Sequence, residues 1–169
     1  MDNKNYIVIN GKKAELTEEQ LKQLGIEVKD GKRWRGERGH KYYYVDEELQ
    51  VDWGTVECCG VITDTEKIRY DTHNYFKTHI EAQEYAEVLE IKRQLMKFAD
   101  EHNGEIDWDN ERLGRYSLYY DKNAERIRVA VTHCFKLPET IYFSSSGIAK
   151  QAIDTIGEEN IIKYLTYNY

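Results

Sequence analysis

The 169-residue sequence predicts an α+β fold in which two β-meander-plus-helix repeats, an antiparallel sheet with helices on one face, follow a small ββα unit. NYFKTHIEA at 74–82 and YFSSSGIA at 142–149 share a Phe, a hydroxyl residue two positions later and an Ala six positions later. Segments rich in Tyr, Val and Ile precede both motifs, as strands would. Helical spacing of apolar residues follows each motif.

Residues 1–28 predict the ββα unit. YIVIN and KKAEL alternate apolar and polar residues on either side of Gly11, which indicates a hairpin. Thr17 begins a helix because, in TEEQ, its hydroxyl and the Gln three positions later can cap each other's backbone amides. Gly25 ends that helix. So short a unit cannot hold its own core, and we expect it to dock on the rest of the chain or on a partner.

Residues 29–41, KDGKRWRGERGHK, predict a basic Gly-rich connector, because they carry three glycines and no apolar periodicity. Guanidinium groups beside an indole suit a phosphate backbone and an unstacked base. The candidate nucleic-acid-binding residues are Lys32, Arg33, Trp34, Arg35 and Arg38. A basic linker folding onto its own acidic domain would have the same sequence, so both interpretations stay open.

Residues 42–102 form the first repeat of the predicted domain 42–169. YYYV, a segment around Val51 to Val61, KIRY and NYF are rich in aromatic and β-branched residues and predict strands. Thr78 is a natural N-cap for a long helix from His79 to about His102. The apolar residues of that helix recur at three- and four-residue spacing, namely Ala82, Tyr85, Ala86, Leu89, Leu95, Met96 and Ala99.

Residues 115–165 repeat the plan. RYSLYYD, RIRVAV and ETIYF predict strands that match YYYV, KIRY and NYF. Ser145 caps a helix that runs through Ala149 to Ile156, Gly157 breaks it, and EENIIKYL restarts a last turn or two. Each shared motif is therefore interpreted as a strand-to-helix corner, where the Phe fills the core and the hydroxyl starts the helix.

The charge is unevenly spread along the chain. The formal net charge of −7 divides into +3 for residues 1–41, −11 for residues 42–121 and +1 for residues 122–169. An acidic centre argues against a protein that simply coats nucleic acid. It suggests a surface that meets a basic partner.

The run NGEIDWDNE at 103–111 gathers four carboxylates around one aromatic, which we expect to be exposed. Alternating carboxylates beside an exposed indole could imitate phosphates beside a stackable base. The candidate partner-binding residues are Asp100, Glu101, Glu105, Asp107, Trp108, Asp109 and Glu111. A solvated loop between the repeats is the plainer interpretation. A calcium loop lacks its glycine, because Arg112 stands at the sixth position.

Motifs of known catalytic chemistry are missing. GxxxxGK[ST], GxGxxG, GxSxG and HExxH do not occur, and we predict a protein that is not an enzyme and needs no cofactor or metal. Cys58, Cys59 and Cys134 lack the spacing of a zinc site. His73 and His79 could share a metal but suit surface or capping roles. A small enzyme remains open if a pocket gathers sequence-distant carboxylates or histidines.

The location expected from sequence is the cytoplasm. The N-terminus MDNKNYIVIN lacks the basic start and apolar stretch of a signal peptide. No run approaches the roughly 18 apolar residues that a membrane span needs.

Several segments together resemble a known group of proteins. ING…LTEEQLKQLGI, YYYVD, HNYFKTHIEAQEYAEVLEIKRQLMKFADEHN, YSLYYD and YFSSSGIAKQAIDTIGEENIIKYL are similar to small proteins of phages and prophages of Gram-positive bacteria. The resemblance implies a phage accessory role, of which anti-CRISPR and anti-restriction inhibitors are examples. It carries over no catalytic residues.

Two hypotheses follow. The first is a non-enzymatic phage accessory protein that binds and inhibits a host defence nuclease or nucleoprotein complex through an acidic surface. The alternative is a nucleic-acid-binding accessory protein that uses the basic connector and exposed tyrosines.

Overall fold

The computed structural model describes residues 6–9, 12–15, 33–56, 64–133 and 136–167. The chain separates into two compact units, Met1–Trp34 and Arg35–Tyr169. In the first unit β1 (Tyr6–Ile9) pairs antiparallel with β2 (Lys12–Glu15), so the hairpin predicted there is confirmed. The helix predicted to begin at Thr17 lies outside the described residues.

The second unit has an α+β fold, with two two-stranded antiparallel hairpins and four helices packed together. In chain order its elements are β3 (Lys41–Val45), β4 (Val51–Thr55), α1 (Asp64–Asp71), α2 (His79–His102), β5 (Arg115–Asp121), β6 (Arg126–Thr132), α3 (Ser146–Ile156) and α4 (Glu158–Thr166). The pairs Tyr43 with Trp53 and Leu118 with Val129 set the two registers. None of the described helices is long and apolar enough to cross a lipid bilayer.

Both predicted strand-to-helix corners are present. Phe76 forms an isolated antiparallel bridge with Tyr43, and Phe143 forms the corresponding bridge with Tyr116. Two residues after each Phe a hydroxyl caps a helix: Thr78 accepts from the amide of Glu81 in a full capping box, and Ser145 accepts from the amide of Ile148. These side chains satisfy amides that the first helical turn leaves without partners.

Helix α2 is shared by two apolar cores. Near its N-terminus Ala82 and Ala86 pack with Val45 of β3. Further along, Leu95, Phe98 and Ala99 pack with Phe143, with Ala149 and Ala152 of α3 and with Ile161 of α4. Burying one large apolar side chain contributes about 1.5–3 kcal/mol to the free energy of folding. Each hairpin therefore depends on a different part of one helix.

Two sequence predictions about strands are wrong. KIRY lies in α1, whose acidic first turn, with Asp64 and Glu66, and basic last turn, with Arg69, suit the helix dipole. The expected continuous antiparallel sheet is also not formed by the described strands, which make separate two-stranded sheets. The third strand of each expected meander is reduced to a one-residue bridge, because the chain turns into a capped helix two residues after the Phe.

Candidate functional site

The predicted partner-binding residues lie on one continuous stretch, residues 100–111, called here the acidic loop. It comprises the last turn of α2 and the segment that follows. Its six carboxylate residues, Asp100, Glu101, Glu105, Asp107, Asp109 and Glu111, are all exposed. Within the described part of the chain only Glu101 has a basic nitrogen within 4.0 Å, Lys97 Nζ at 3.8 Å. That pair is exposed and contributes little, and the other five carboxylates make no ion pair within the described residues.

Arg115, at the start of β5, holds the acidic loop in place through hydrogen bonds of its side chain. The residue is only 2% exposed. Nη1 donates to the carbonyl oxygens of Leu113 at 3.1 Å and His133 at 2.5 Å, and Nη2 donates to that of Asp107. One buried guanidinium therefore joins the acidic loop, the entry to β5 and the end of β6.

Trp108 differs from the sequence expectation, because it is half-buried rather than an exposed contact residue. Its ring lies edge-on to that of Tyr142, with 5.0 Å between centroids, and its centroid is 5.0 Å from Cζ of Arg115. Lys136 Nζ approaches the same ring at 5.5 Å. Cations favour the face of an indole, so Trp108 covers Arg115 and serves to position the loop.

Further hydrogen bonds hold the acidic loop near its start and within it. Near its start the side-chain amide of Asn103 bridges two backbone groups. Its Nδ2 donates to Tyr142 O at 2.8 Å, and its Oδ1 accepts from Ser144 N at 2.8 Å. Within the loop, Asp107 Oδ1 accepts from the backbone amide of Asp109 at 3.0 Å. This bond closes a local turn of a kind that Asp favours. The carboxylates are thus displayed on an ordered backbone.

The acidic loop and the histidines do not form a metal site in the described part of the chain. Among the described residues no group of three or more His, Cys, Asp or Glu side chains is arranged to hold a metal ion. The Asp107, Asp109 and Glu111 alternation therefore does not converge on a shared cation. Cys58, Cys59 and Cys134 lie outside the described residues. What the acidic loop can do chemically is form ion pairs and accept hydrogen bonds.

The basic residues of the alternative hypothesis are divided between the two compact units. Lys32 lies outside the described residues, and Arg33 and Trp34 belong to the first unit. Arg35 and Arg38 belong to the second unit and are exposed. The guanidinium of Arg35 lies 4.7 Å over the ring of Tyr70.

Sequence reasoning missed a cluster of tyrosines and arginine on the face of β3 that points away from α2. Tyr42 stacks on Tyr75 with 4.2 Å between ring centroids. Arg69 Cζ lies 3.2 Å from the ring centroid of Tyr44, and Arg69 Nη1 donates to Tyr42 Oη at 3.1 Å. Tyr44 in turn donates to Asp52 Oδ2 at 2.7 Å, which raises the pKa of the phenol and lowers that of the carboxyl. The three consecutive tyrosines of YYYV were the available signal, because successive strand residues point to opposite faces and two of the three must therefore share one face.

An open groove of about 670 Å³ lies beside this cluster, between the β3–β4 turn and α2. Arg69 and Arg93 line it together with Asp46, Glu47 and Glu48. Arg93 Nη2 donates to the backbone carbonyl of Glu47 at 2.9 Å. Because both signs of charge line the groove, it does not select a ligand of one charge.

Comparison of the chain with protein-family models, with curated proteins and with solved structures found no match.

Proposed function

We propose that this chain is a non-enzymatic accessory protein that binds a positively charged protein through the acidic loop. The observation that carries the proposal is the display of six exposed carboxylates on an ordered backbone, with one exposed ion pair between them and the rest of the described chain. Carboxylates without internal partners remain available to lysines and arginines of another molecule.

The order of the acidic loop supports binding as well as the charge does. Association costs free energy for every flexible segment that becomes fixed. The bonds from Arg115 and Asn103 already restrict the backbone that carries the carboxylates. Docking of a partner would therefore cost less conformational entropy at the acidic loop than it would at a flexible acidic tail.

The class of partner is proposed from the resemblance to small phage and prophage proteins. Host defence nucleases and their nucleoprotein complexes bind phosphate backbones through basic surfaces. A row of carboxylates on a small protein can occupy such a surface and exclude nucleic acid. We propose inhibition of a defence factor of this kind. We further propose that the two hairpin, bridge and helix units are two repeats of one structural plan.

The test compares two variants with the same change in charge. The acidic-loop variant carries Glu105→Gln, Asp107→Asn, Asp109→Asn and Glu111→Gln, which keep the hydrogen-bond acceptors. The control variant carries Asp71→Asn, Glu84→Gln, Glu125→Gln and Asp154→Asn, at exposed positions elsewhere. Each immobilised full-length protein is offered purified restriction and CRISPR nucleases of a Gram-positive host as salt rises from about 0.1 M to about 1 M.

We expect the original protein and the control variant to retain a nuclease at low salt and release it at high salt. The acidic-loop variant should fail to retain it, and it should no longer restore plaque formation on a defended host. If no nuclease is retained and plaque formation does not change, the proposal is lost. Equal loss in both variants would reduce it to an effect of overall charge.

Binding of nucleic acid remains the second candidate, favoured by the exposure of Arg35 and Arg38. The tyrosines support it less, because Tyr42, Tyr75 and Tyr142 are buried. A gel-shift assay with single- and double-stranded DNA tests it. Replacing Arg33, Trp34 and Arg35 with Ala must abolish a shift if the basic segment carries the binding.

A further inference from the structure

We infer that two copies of this chain pair through the outer edge of β6, in antiparallel register about Val129. Strand β6 belongs to the second hairpin and carries none of the residues of the acidic loop. The pairing therefore goes beyond the proposed function and does not depend on it.

The hydrogen bonds of β5 show which backbone groups of β6 point outward. Tyr116 exchanges two backbone hydrogen bonds with Phe143, so its amide and carbonyl point away from β6. Residues directly opposite each other in an antiparallel pair either bond to each other or both point away, so Val131, the partner of Tyr116, also points outward. Ile127 and Val129 follow at two-residue spacing and share this direction. Their amides and carbonyls, called here the β6 edge, make no backbone hydrogen bond within the described residues.

The side chains of β6 leave this edge able to pair. Its seven residues, RIRVAVT, keep a continuous register with β5, include no Gly or Pro and are rich in residues that suit strands. Arg126 stands at the first position, and Arg128 turns back toward β5, with Nε 2.6 Å from Asp121 Oδ2. Natural sheet edges that stay unpaired are protected by charges, prolines or bulges. The middle of β6, as described, directs no such feature outward.

The outer edge of the first hairpin is different. Tyr43 bonds to Phe76, so its partner Trp53 directs its backbone groups outward from β4. The amide of Trp53 already donates to Asp52 Oδ1 at 2.7 Å. Gly54 also weakens β4 for pairing, because it supplies no side chain to a neighbouring strand. Of the two hairpins, the second therefore has the edge that is better suited to add a strand.

The sequence of β6 selects a second copy of itself as the added strand. When Val129 stands opposite Val129 of the second copy, all seven residues of each strand are paired. Ile127 then lies opposite Val131, whose side chain is apolar and which is 54% exposed in the single chain, and Arg128 lies opposite Ala130. Sliding the strands by two residues leaves part of each unpaired and, in one direction, sets Arg128 against Arg128, which is unfavourable. The favoured register has the two-fold symmetry that is commonest among soluble oligomers.

The first experiment measures the mass of the full-length protein by sedimentation velocity from about 10 μM to about 1 mM. One strand pair is small beside the roughly 1,200 Å² that stable interfaces bury, so we expect a reversible change from one chain to two within this range. The dimer should persist in about 1 M salt, because backbone hydrogen bonds and apolar contacts hold it rather than exposed charges.

The second experiment tests the register in a mixture of isotopically labelled and unlabelled protein. Opposite residues that do not bond to each other have the closest backbones in an antiparallel pair. We therefore expect an NMR contact between the Hα of Arg128 in one copy and the Hα of Ala130 in the other. Within one strand these two residues lie about 6.6 Å apart, too far for a strong contact of this kind.

A variant and its matched control locate the interface. Val131→Pro removes one outward amide and leaves the hydrogen bonds to β5 in place, a position at which edge strands accept proline. It should weaken dimerisation at least about tenfold, with folding checked by circular dichroism. Thr55→Pro makes the same change at an outward position of β4 and should dimerise as the original protein does. The acidic-loop variant should dimerise normally as well.

Each contrary result has its own meaning. A single chain at every concentration overturns the inference and leaves the β6 edge to an extended segment of another protein. A dimer that lacks the contact between Arg128 and Ala130, or that folded Val131→Pro leaves unchanged, also overturns it. If Val131→Pro does not fold, the contact in the original protein decides. Loss of nuclease binding by the acidic-loop variant, with dimerisation unchanged, concerns the proposed function alone.

Discussion

At the scale of single residues, Arg115 decides whether the acidic loop keeps its shape. Its buried guanidinium donates to three backbone carbonyls in three segments. Arg115→Met keeps much of the volume but leaves those carbonyls without their donor. We expect the free energy of unfolding to fall by about 2–3 kcal/mol, measured by urea denaturation, because the loss of hydrogen bonds to a charged group costs about 1.5–3 kcal/mol.

Arg112→Met is the control for this prediction. Arg112 is exposed, and its backbone amide donates to Asn110 Oδ1. Its replacement should change stability by less than about 0.5 kcal/mol. Equal losses in the two variants would show that the guanidinium of Arg115 is not the anchor of the loop.

Gly54 is a second residue whose identity is set by a neighbour. It pairs with Tyr42 across the β3–β4 hairpin, and a Cβ at Gly54 would lie 2.6 Å from Tyr42 Cζ. Tyr42 is 4% exposed and stacked on Tyr75, so its ring cannot easily move. Gly54→Ala should therefore cost about 1–3 kcal/mol of unfolding free energy.

Gly104→Ala tests whether the cost at Gly54 comes from contact rather than from glycine as such. A Cβ at Gly104 would meet nothing within 4 Å. Its replacement should be neutral or should stabilise by about 0.4–1 kcal/mol through the unfolded chain. Thermal melting of the two variants side by side gives the comparison, and similar losses would refute the steric explanation.

At the scale of elements, the cap of α2 matters beyond its own turn, because α2 carries both cores. Thr78→Ala removes the acceptor for the amide of Glu81. We expect it to lower the unfolding free energy by about 1 kcal/mol in urea denaturation. Thr155→Ala, at an exposed position inside α3, should have little effect or stabilise slightly. If Thr78→Ala changed the unfolding free energy no more than Thr155→Ala does, the cap at Thr78 would not contribute to stability.

The elements also show what sequence reasoning can and cannot reach. Helix α2 and the caps at Thr78 and Ser145 were predictable because periodicity and capping are local patterns. The strand predicted for KIRY is a helix in the structure, because Ile68 and Tyr70 favour strands, whereas the acidic first turn and the basic last turn of α1 favour a helix.

The candidate site was predictable only in part, for the same reason. The carboxylates of the acidic loop are consecutive enough to be recognised as one exposed group. The inward position of Trp108 depends on Arg115 and Tyr142, which no local pattern connects to it.

At the scale of the whole molecule, the negative charge of residues 42–121 is not confined to the acidic loop. The acidic loop precedes the second hairpin, while Glu47 and Glu48 lie exposed in the turn of the first. Binding to any strongly basic surface will therefore weaken with salt. Only variants matched in charge can separate the loop from this general effect.

The pH dependence of stability is also a property of the whole molecule, because tyrosines in both halves resist ionisation. Burial raises the pKa of Tyr75 to about 12, with the charge of Glu66 acting in the same direction. Burial likewise raises the pKa values of Tyr85, Tyr164 and Tyr167. Each folded phenol therefore holds its proton at a pH where the unfolded chain has begun to release it.

Below pH 10, the ordinary pKa of tyrosine, these phenols are protonated in both states and leave stability unchanged. Above it the unfolded chain binds fewer protons than the folded one, so the unfolding free energy falls through the folded pKa of about 12. Tyr75→Phe should flatten this fall in urea denaturation at successive alkaline pH values. Tyr119→Phe removes an exposed phenol and is the control. Identical slopes for Tyr75→Phe and the original protein would mean that Tyr75 ionises as readily folded as unfolded.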